Sequence, residues 1–198
     1  MYKGLDLTNK EYSMNKVLVI GNGGREHALS WRLKQSPSVS QVFCASGNAG
    51  IAQDVECVNL STPDDIVSFC HKENISLVVV GPEQPLVDGL ADILRAANIP
   101  VFGCSKKAAQ LEGSKVFMKD LCKKYNIPTA AYGSFADKKE AIKFLEDKNF
   151  PIVVKADGLA AGKGVIIAEN KLEAVEAVEN MFSGEFGAAG EQVVIEEF

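Results

Sequence analysis

A glycine- and alanine-rich segment between two β-branched runs carries the residues best suited to binding phosphate. It extends from Lys155 to Gly164 and reads KADGLAAGKG. Small residues leave backbone N–H groups uncovered, so an anion can approach them closely. Lys155 ends the first run and Lys163 lies within the segment, which adds two positive charges. The pattern predicts a strand, a glycine-rich turn and a second strand that close over the phosphates of a nucleotide.

The same segment has two other interpretations, a P-loop and an ordinary flexible hairpin. A P-loop requires four residues between its glycines and a Ser or Thr after the lysine. Here three residues separate Gly158 from Gly162, and Gly164 takes the place of the metal-binding hydroxyl. The following run also favours a strand over a helix, so the segment is not a P-loop. The structural alternative is a flexible hairpin with a solvated lysine.

A second anion site is predicted at the turn GNGGRE, residues 21–26, which follows a buried apolar run. The N-terminus of a helix that follows a strand attracts anions. Arg25 and His27 lie on the first turn of that helix and have no apolar role. The turn departs from a dinucleotide fingerprint, because Glu26 replaces the last glycine and the next strand ends in Ser46-Gly47 without an acid. A tight turn without a ligand is the alternative.

Strand and helix patterns alternate through the first half of the chain. The strands are predicted at residues 16–20, 39–45, 77–80 and 101–102. The helices are predicted at residues 26–33, 63–72 and 87–97. This alternation predicts a parallel sheet with right-handed crossovers, whose ligands bind outside the carboxyl ends of the strands. The strand ends expected along that edge lie near Gly21, Ser46, Gly81 and Gly103.

The second half has a different composition. Residues 106–124 are helical and rich in lysine, and Pro128 then interrupts the pattern. We expect these lysines to form a solvated face, with Lys115 alone held out as a phosphate contact. The expected solvated lysines are Lys106, Lys107, Lys119, Lys123 and Lys124. The hairpin, a helix at residues 171–181 and a half-buried strand at 192–196 follow.

Composition excludes several classes of function. The chain has 198 residues and a net charge of −5, so no global field attracts nucleic acid or an acidic membrane. Its five scattered cysteines contain no CxxC pair, which argues against a disulfide framework or a zinc site and indicates a reducing cytoplasm. No apolar run approaches the roughly 18 residues of a membrane span.

Four motifs in sequence order point to one family. They are VIGNGGREHAL at residues 19–29, GNAG at 47–50, GPEQPL at 81–86 and KADGLAAGKGV at 155–165. Together they resemble the phosphoribosylamine–glycine ligases, also called glycinamide ribonucleotide synthetases, of the ATP-grasp superfamily. The resemblance extends over residues 16–198.

The resemblance implies an α/β protein of two parts. The first is a Rossmann-like parallel-sheet domain at residues 16–118, and the polar, aperiodic residues 1–15 before it are expected to form a flexible leader. Residues 119–198 then form the first α+β subdomain of an ATP-grasp fold and the start of the second. By the same resemblance, ATP lies between two antiparallel sheets, and we expect this chain to be the front portion of a longer polypeptide.

The resemblance also implies two sets of site residues. Those matching the family's ATP site are Lys115, Lys155, Gly158, Gly162, Lys163, Gly164, Glu196 and Glu197. Those matching its phosphoribosylamine site are Gly21, Gly23, Gly24, Arg25, Glu26, Gly47, Asn48, Gly50 and Glu83. The ligands of the Mg²⁺ or Mn²⁺ ion are expected beyond Phe198, so no metal ligand is assigned here.

The reaction implied is the ATP-dependent joining of glycine to 5-phosphoribosylamine through glycyl phosphate, a step of purine synthesis. Such chemistry needs positioning and positive charge and no nucleophilic side chain. The expected partners are therefore ATP, glycine and phosphoribosylamine, with no nucleic acid or membrane, and the chain alone is expected to be inactive. The alternatives are another ATP-grasp carboxylate–amine ligase or carboxylase subunit, or a non-catalytic nucleotide-binding module.

Overall fold

The computed structural model of the chain describes residues 14–160, 163–184 and 187–198. The chain is divided into two compact units, Met1–Lys106 and Lys107–Phe198. Each unit has its own sheet and core. The division predicted from the sequence lies later, after residue 118. Residues just before that point belong to the second unit because Asp157 accepts hydrogen bonds there, from Ser114 Oγ at 3.0 Å and from the Val116 N–H at 3.0 Å.

The first unit contains a five-stranded sheet in the order β3-β2-β1-β4-β5, and every paired strand is parallel. The strands are β1 (Asn15–Gly21), β2 (Val39–Ser46), β3 (Glu56–Val58), β4 (Ile75–Val80) and β5 (Val101–Phe102). The helices are α1 (Gly24–Lys34), α2 (Pro63–Glu73), α3 (Glu83–Asp88) and α4 (Leu90–Ala96). The four predicted strands are confirmed, whereas β3 was not foreseen. The helix predicted at residues 87–97 is divided at Gly89, which has a φ of +100°.

The first apolar run of the chain is continuous because both faces of the central strand β1 are buried. Leu18 and Ile20 join the core on one face of the sheet, while Val17 and Val19 join the core on the other. Side chains alternate between the faces of a strand, and both faces of a parallel sheet are covered. From β1 the chain passes to β2 on one side, and β4 pairs on the other. The carboxyl end of β1 is therefore the topological switch point where ligands bind in such sheets.

The second unit contains a four-stranded antiparallel sheet in the order β6-β9-β7-β8. Its strands are β6 (Tyr132–Phe135), β7 (Ile152–Ala156), β8 (Val165–Ala168) and β9 (Val193–Glu197). The helices from the division onward are α5 (Lys106–Gly113), α6 (Lys115–Lys124), α7 (Lys138–Phe144) and α8 (Lys171–Met181). The predicted strand–turn–strand hairpin is confirmed as β7 and β8.

The last strand, β9, differs from its prediction as a half-buried strand. It lies in the interior of the sheet between β6 and β7, and its residues from Val193 to Glu196 are all buried. Val193 and Ile195 face the core that α7 and α8 cover, while Glu196 faces the opposite side, against α6. The place of a strand in a sheet depends on its pairing with distant strands, and the local sequence pattern does not predict that pairing. Across the described ranges, every helix is too short or too polar to cross a membrane.

The glycine at the end of β4 should be intolerant of a side chain. A Cβ atom at Gly81 would lie 2.2 Å from Glu26 Oε1 and 2.5 Å from Glu26 Cγ. Glu26 is buried, so it has little room to give way. Gly81→Ala is expected to lower the free energy of unfolding by about 1–3 kcal/mol. Fluorescence of Trp31, the single tryptophan, would follow urea unfolding of the first unit.

Gly24→Ala is the matched control for this experiment. Gly24 begins helix α1, and a Cβ atom there would meet nothing within 4 Å. Alanine favours the helix by up to about 1 kcal/mol, so this variant should be as stable as the wild type or more stable. Equal stability of the two variants would contradict the proposed crowding at Gly81.

Candidate functional site

The candidate site residues of the first unit lie on loops at the edge of its sheet, and two of these loops are joined at Gly21. The Gly21 carbonyl accepts a hydrogen bond from the Gly47 N–H at 3.1 Å and one from Cys44 Sγ at 3.3 Å. Gly47 has a φ of +57°, and a Cβ atom there would lie 2.4 Å from Cys57 Sγ. The loop after β2 therefore packs directly against the loop after β1.

Asn48 adds a second connection between the same two loops. Its side-chain carbonyl accepts hydrogen bonds from the N–H groups of Gly50 at 2.8 Å and Ile51 at 2.9 Å, and its amide donates to the Asn22 carbonyl at 2.7 Å. All of its side-chain polar atoms thus have partners within the loops. The role of Asn48 as a substrate contact stays a prediction, and in the structure its side chain joins the two loops.

Glu26 lies beneath the loops rather than at their surface. Its side chain is buried and accepts hydrogen bonds from the Gly23 N–H at 2.7 Å and from Arg25 Nε at 3.2 Å. It also fills the space that the missing side chains of Gly21 and Gly81 leave. The departure from the dinucleotide fingerprint at this position thus has a structural reason. A carboxylate joins the β1 and β4 loops where a third glycine would allow the helix to approach the sheet.

Arg25 and Glu83 form a two-pronged ion pair at the surface of the same edge. Arg25 Nη1 lies 2.9 Å from Glu83 Oε1, and Nη2 lies 3.3 Å from Oε2. Hydrogen bonding from Arg25 holds the pKa of Glu83 below its usual value, and the bonds to Glu83 and Glu26 raise the pKa of Arg25. Both groups therefore carry full charge at neutral pH. The pair offers a cation for a phosphate and an anion for an amine.

His27 and Asp54 form a further polar pair beside this edge. His27 Nε2 lies 2.7 Å from Asp54 Oδ2. They border an open cavity of about 350 Å³ whose lining residues are Gly24, His27, Ala28, Trp31 and Asp54. The sequence drew attention to His27 through its place on the first helical turn. It carried no signal for Asp54, which lies after a single 3₁₀ turn and approaches His27 only in the fold.

The candidate site residues of the second unit centre on Lys155 and Glu196. Glu196 on β9 is paired with Val153 on β7, and Lys155 is paired with Val194, so the two charged residues are diagonal neighbours across the strands. Long side chains span this diagonal. Lys155 Nζ forms an ion pair with Glu196 Oε1. The sequence assigned both residues to ATP, and the structure brings them together.

Lys119 corrects the expectation that the lysines of residues 106–124 other than Lys115 form a solvated face. Its side chain is only 5% exposed, and Nζ forms an ion pair with Glu196 Oε2. It also donates a hydrogen bond to Thr129 Oγ1 at 2.7 Å. A signal was present in the sequence, because Lys119 lies four residues after Lys115 on α6 and therefore on the same helix face.

The two lysines determine the charge state of Glu196. Burial by itself would raise the pKa of this carboxyl, but hydrogen bonds and charge from Lys119 and Lys155 outweigh burial and hold the pKa below its usual value. The carboxylate is therefore ionised at neutral pH. Two ammonium groups and one carboxylate leave this cluster with one net positive charge.

Lys115 approaches the start of the hairpin loop. Its Nζ donates a hydrogen bond to the Gly158 carbonyl at 2.7 Å. Burial lowers the pKa of Lys115, and the positive charge of Lys155 acts in the same direction. The two predicted ATP lysines thus lie close enough to repel each other. Such an arrangement is stabilised when a polyanion binds to both.

The hairpin loop is shaped by its small residues. Gly158 has a φ of +89°, and a Cβ atom at Gly164 would lie 2.6 Å from the Cβ of Ala160. The Lys163 N–H donates to the Ala160 carbonyl at 2.9 Å, and the Lys163 side chain is exposed. Gly162, which the sequence also assigned to ATP, lies outside the described residues. Glu197 is exposed, and its N–H donates to the Ala131 carbonyl at 3.0 Å.

Acidic residues in the described ranges do not form a metal cluster. No group of three His, Cys, Asp or Glu side chains there has the proximity needed to hold an ion. The carboxylates of Glu26, Glu83 and Glu196 are instead paired with arginine or lysine. The placement of the metal ligands beyond Phe198 stays a prediction.

Comparison with known families matches both units. The family model described as phosphoribosylglycinamide synthetase, N domain, matches residues 15–112. The model described as phosphoribosylglycinamide synthetase, ATP-grasp (A) domain, matches residues 113–198. The chain belongs to the phosphoribosylglycinamide synthetase family. The resemblance inferred from the four sequence motifs is therefore confirmed.

Individual members of the family are similar over nearly the whole chain. The phosphoribosylamine–glycine ligase of Rhizobium meliloti is 55% identical over 185 residues, which are 92% of this chain and 44% of the relative. That of Fusobacterium nucleatum is 50% identical over 186 residues, again 92% of this chain and 44% of the relative. The chain thus spans less than half the length of the curated relatives that it matches.

Solved structures support the same assignment and the fold class. The phosphoribosylamine–glycine ligase of Thermotoga maritima has a TM-score of 0.76 at 32% identity, with 92% of this chain and 44% of that chain covered. A biotin carboxylase from Campylobacter jejuni has a TM-score of 0.74 at 15% identity, with 94% and 46% covered. The second likeness is one of fold alone. The Rossmann-like sheet followed by an ATP-grasp subdomain is confirmed.

The buried carboxylate of Glu196 should make stability depend on pH in a defined direction. The pKa of this carboxyl is lowered from 4.5 in the folded chain. Its contribution to the free energy of unfolding is therefore complete above the pKa of the unfolded chain, and it is lost as the pH falls towards the pKa of the folded chain. Glu196→Gln should remove this loss of stability at low pH. At neutral pH it should destabilise the chain by about 3–5 kcal/mol, because Lys119 is left buried without its counter-ion.

Urea denaturation followed by circular dichroism between pH 3 and pH 7 would measure both effects. Glu197→Gln is the matched control, since the neighbouring carboxylate is exposed. It should keep the pH dependence of the wild type. A Glu196→Gln variant with the same pH dependence as the wild type would contradict the assignment.

Proposed function

We propose that this chain supplies the nucleotide-binding and amine-binding parts of a phosphoribosylamine–glycine ligase. The enzyme would join glycine to 5-phosphoribosylamine at the expense of ATP and release glycinamide ribonucleotide, ADP and phosphate. The observation that carries the proposal is the cluster formed by Lys115, Lys119, Lys155 and Glu196 beside a glycine-rich hairpin, in a chain of this family. The cluster has the net positive charge that a triphosphate requires.

In the first step, a glycine carboxylate oxygen would attack the γ-phosphorus of ATP, and ADP would leave. Lys155 and Lys115 would neutralise charge on the transferring phosphoryl group, as preorganised cations do in phosphoryl transfer. Backbone N–H groups around Gly158 and Gly164 would add donors. The divalent metal of the family would neutralise further phosphate charge when bound, and we assign it no ligand among the described residues.

In the second step, the amine of phosphoribosylamine would attack the carbonyl carbon of glycyl phosphate. An amide bond would form, the bond to phosphate would break, and the nitrogen would lose a proton. The loops at the edge of the first-unit sheet suit this substrate. Arg25 and the first-turn N–H groups of α1 would bind its phosphate, and Glu83, held ionised by Arg25, would accept a hydrogen bond from the amine. The buried Glu26 would position these groups.

The compartment and the remaining partners belong to the same proposal. The five cysteines are all unpaired thiols in the structure, which supports a reducing compartment and hence a cytoplasmic enzyme. The substrates are small molecules, and the net charge of −5 gives no support to nucleic acid as a partner.

A different ATP-grasp ligase or a carboxylase subunit is the second candidate. The fold likeness to biotin carboxylases favours it, because the same two-part architecture carries a different reaction there. The first-unit edge distinguishes the candidates. A carboxylase would have no use for the Arg25–Glu83 pair as a receptor for an aminosugar phosphate.

Binding of ATP is the first test of the second-unit assignment. Lys155→Ala should weaken binding of MgATP by this chain at least about tenfold, since a hydrogen bond between an ammonium group and a phosphate contributes about 1.5–3 kcal/mol. Isothermal titration calorimetry would measure the dissociation constant. Lys138→Ala, which removes an exposed lysine at the start of α7, is the control and should leave it unchanged. A Lys155→Ala variant that binds as the wild type does would remove Lys155 from the site.

Catalysis can be tested in a chimera in which this chain replaces the aligned part of the Rhizobium meliloti relative. The chimera should release ADP only when both glycine and phosphoribosylamine are present. Arg25→Met should lower kcat/KM for phosphoribosylamine by about 10²-fold, the cost of losing a charged contact to a phosphate, while KM for ATP stays constant.

Arg32→Met on the same helix is the control for Arg25→Met, because Arg32 is exposed and lies two turns further along α1. Arg32→Met should leave kcat/KM for phosphoribosylamine and KM for ATP unchanged. ADP release that needs bicarbonate in place of phosphoribosylamine would favour the carboxylase candidate.

A further inference from the structure

Lys119 and Lys155 contact one carboxylate from different environments. Lys119 Nζ pairs with Glu196 and also donates hydrogen bonds to Thr129 Oγ1 at 2.7 Å and to the Ala130 carbonyl at 3.4 Å. An ammonium group has three donors, so these three partners satisfy it completely. Its Nζ also lies 5.5 Å from the centre of the Tyr132 ring. Lys119 is therefore a fixed, buried charge within its own unit.

Lys155 is held much less firmly. Its side chain is 24% exposed, compared with 5% for the side chain of Lys119. Its cross-strand neighbours, Val165 and Val194, are apolar. Among the described residues, Glu196 is the one carboxylate within ion-pair distance of it. Of the two lysines, Lys155 is the one that can turn towards a ligand.

The charge of the cluster depends on the buried lysine. With Lys119 present, Glu196 is neutralised from its buried side and Lys155 contributes a net positive charge. Without Lys119, Glu196 and Lys155 would neutralise each other. Any movement of Lys155 to a ligand would then leave a buried carboxylate unpaired, which is costly.

We propose that Lys119 is a positioning residue of the nucleotide site, whose buried charge neutralises Glu196 so that Lys155 can bind the polyphosphate of a nucleoside triphosphate. This inference rests on the proposed function, because it deepens the role of the same site. Lys119 does not touch the nucleotide; it acts through Glu196. It therefore governs the preference for a triphosphate over a monophosphate and has no part in recognising the nucleoside.

The test compares the dissociation constants of MgATP and AMP for the full chain by isothermal titration calorimetry. Lys119→Met should weaken MgATP binding about tenfold and AMP binding much less, because AMP has a single phosphate to contact Lys155. Adding Glu196→Gln to Lys119→Met should restore the wild-type preference, since no carboxylate then masks Lys155. Lys123→Met is the matched control, one turn further along α6 and exposed, and should bind both nucleotides as the wild type does.

The outcomes separate this inference from the proposed function. The inference would be overturned if Lys119→Met lost equal affinity for MgATP and AMP, because that result would show a merely structural role. It would also be overturned if the double variant did not regain the preference for MgATP over AMP. The double variant contains no buried unpaired charge, so it decides the question even if Lys119→Met fails to fold. A wild-type chain that binds no MgATP would overturn the proposed function and the inference together, whereas unchanged MgATP binding in Lys119→Met would overturn only the inference.

Discussion

A carboxylate buried within each unit is the constraint on which the candidate site depends. Glu196 holds two lysines in the second unit, and Glu26 joins the glycine turns of the first. A buried carboxylate must be paired or hydrogen-bonded, because the cost of burying it alone is several kcal/mol. The groups that pair with it are therefore held close to it in the absence of a ligand. In both units those partners include groups that the proposed reaction needs, namely Lys155 and Arg25.

The two units satisfy their buried carboxylates with different types of sheet. In the parallel sheet, the loops at the carboxyl edge come together at the topological switch point, and glycines at positions 21 and 81 make room for the Glu26 side chain. In the antiparallel sheet, Glu196 reaches Lys155 across a diagonal between strands and reaches Lys119 on a helix. Each arrangement orients a cation that keeps some exposure to solvent. Positive charge is thus placed locally on a chain whose net charge is −5.

Much of the local structure follows from residue order. The apolar runs predicted β1, β2, β4 and β5, and the glycine-rich segment predicted the β7–β8 hairpin, because strand propensity and turn chemistry act over a few residues. The helix predicted at residues 87–97 joins only the end of α3 to α4, since a single Gly89 in a left-handed conformation is hard to distinguish from a tolerated helix glycine. Strand β3 has three residues, too few for a periodic pattern.

The sequence by itself determined the family and most of the strands, and it named the side chains that we propose to bind phosphate, since motifs and periodicity are properties of neighbouring residues. Only the tertiary structure decided that β9 lies inside its sheet, that Lys119 is buried and that Asp54 meets His27. Each of these depends on groups that are distant along the chain. A lysine on a helix becomes solvated or buried according to whether another element brings it a carboxylate, and here that carboxylate is 77 positions away, at residue 196.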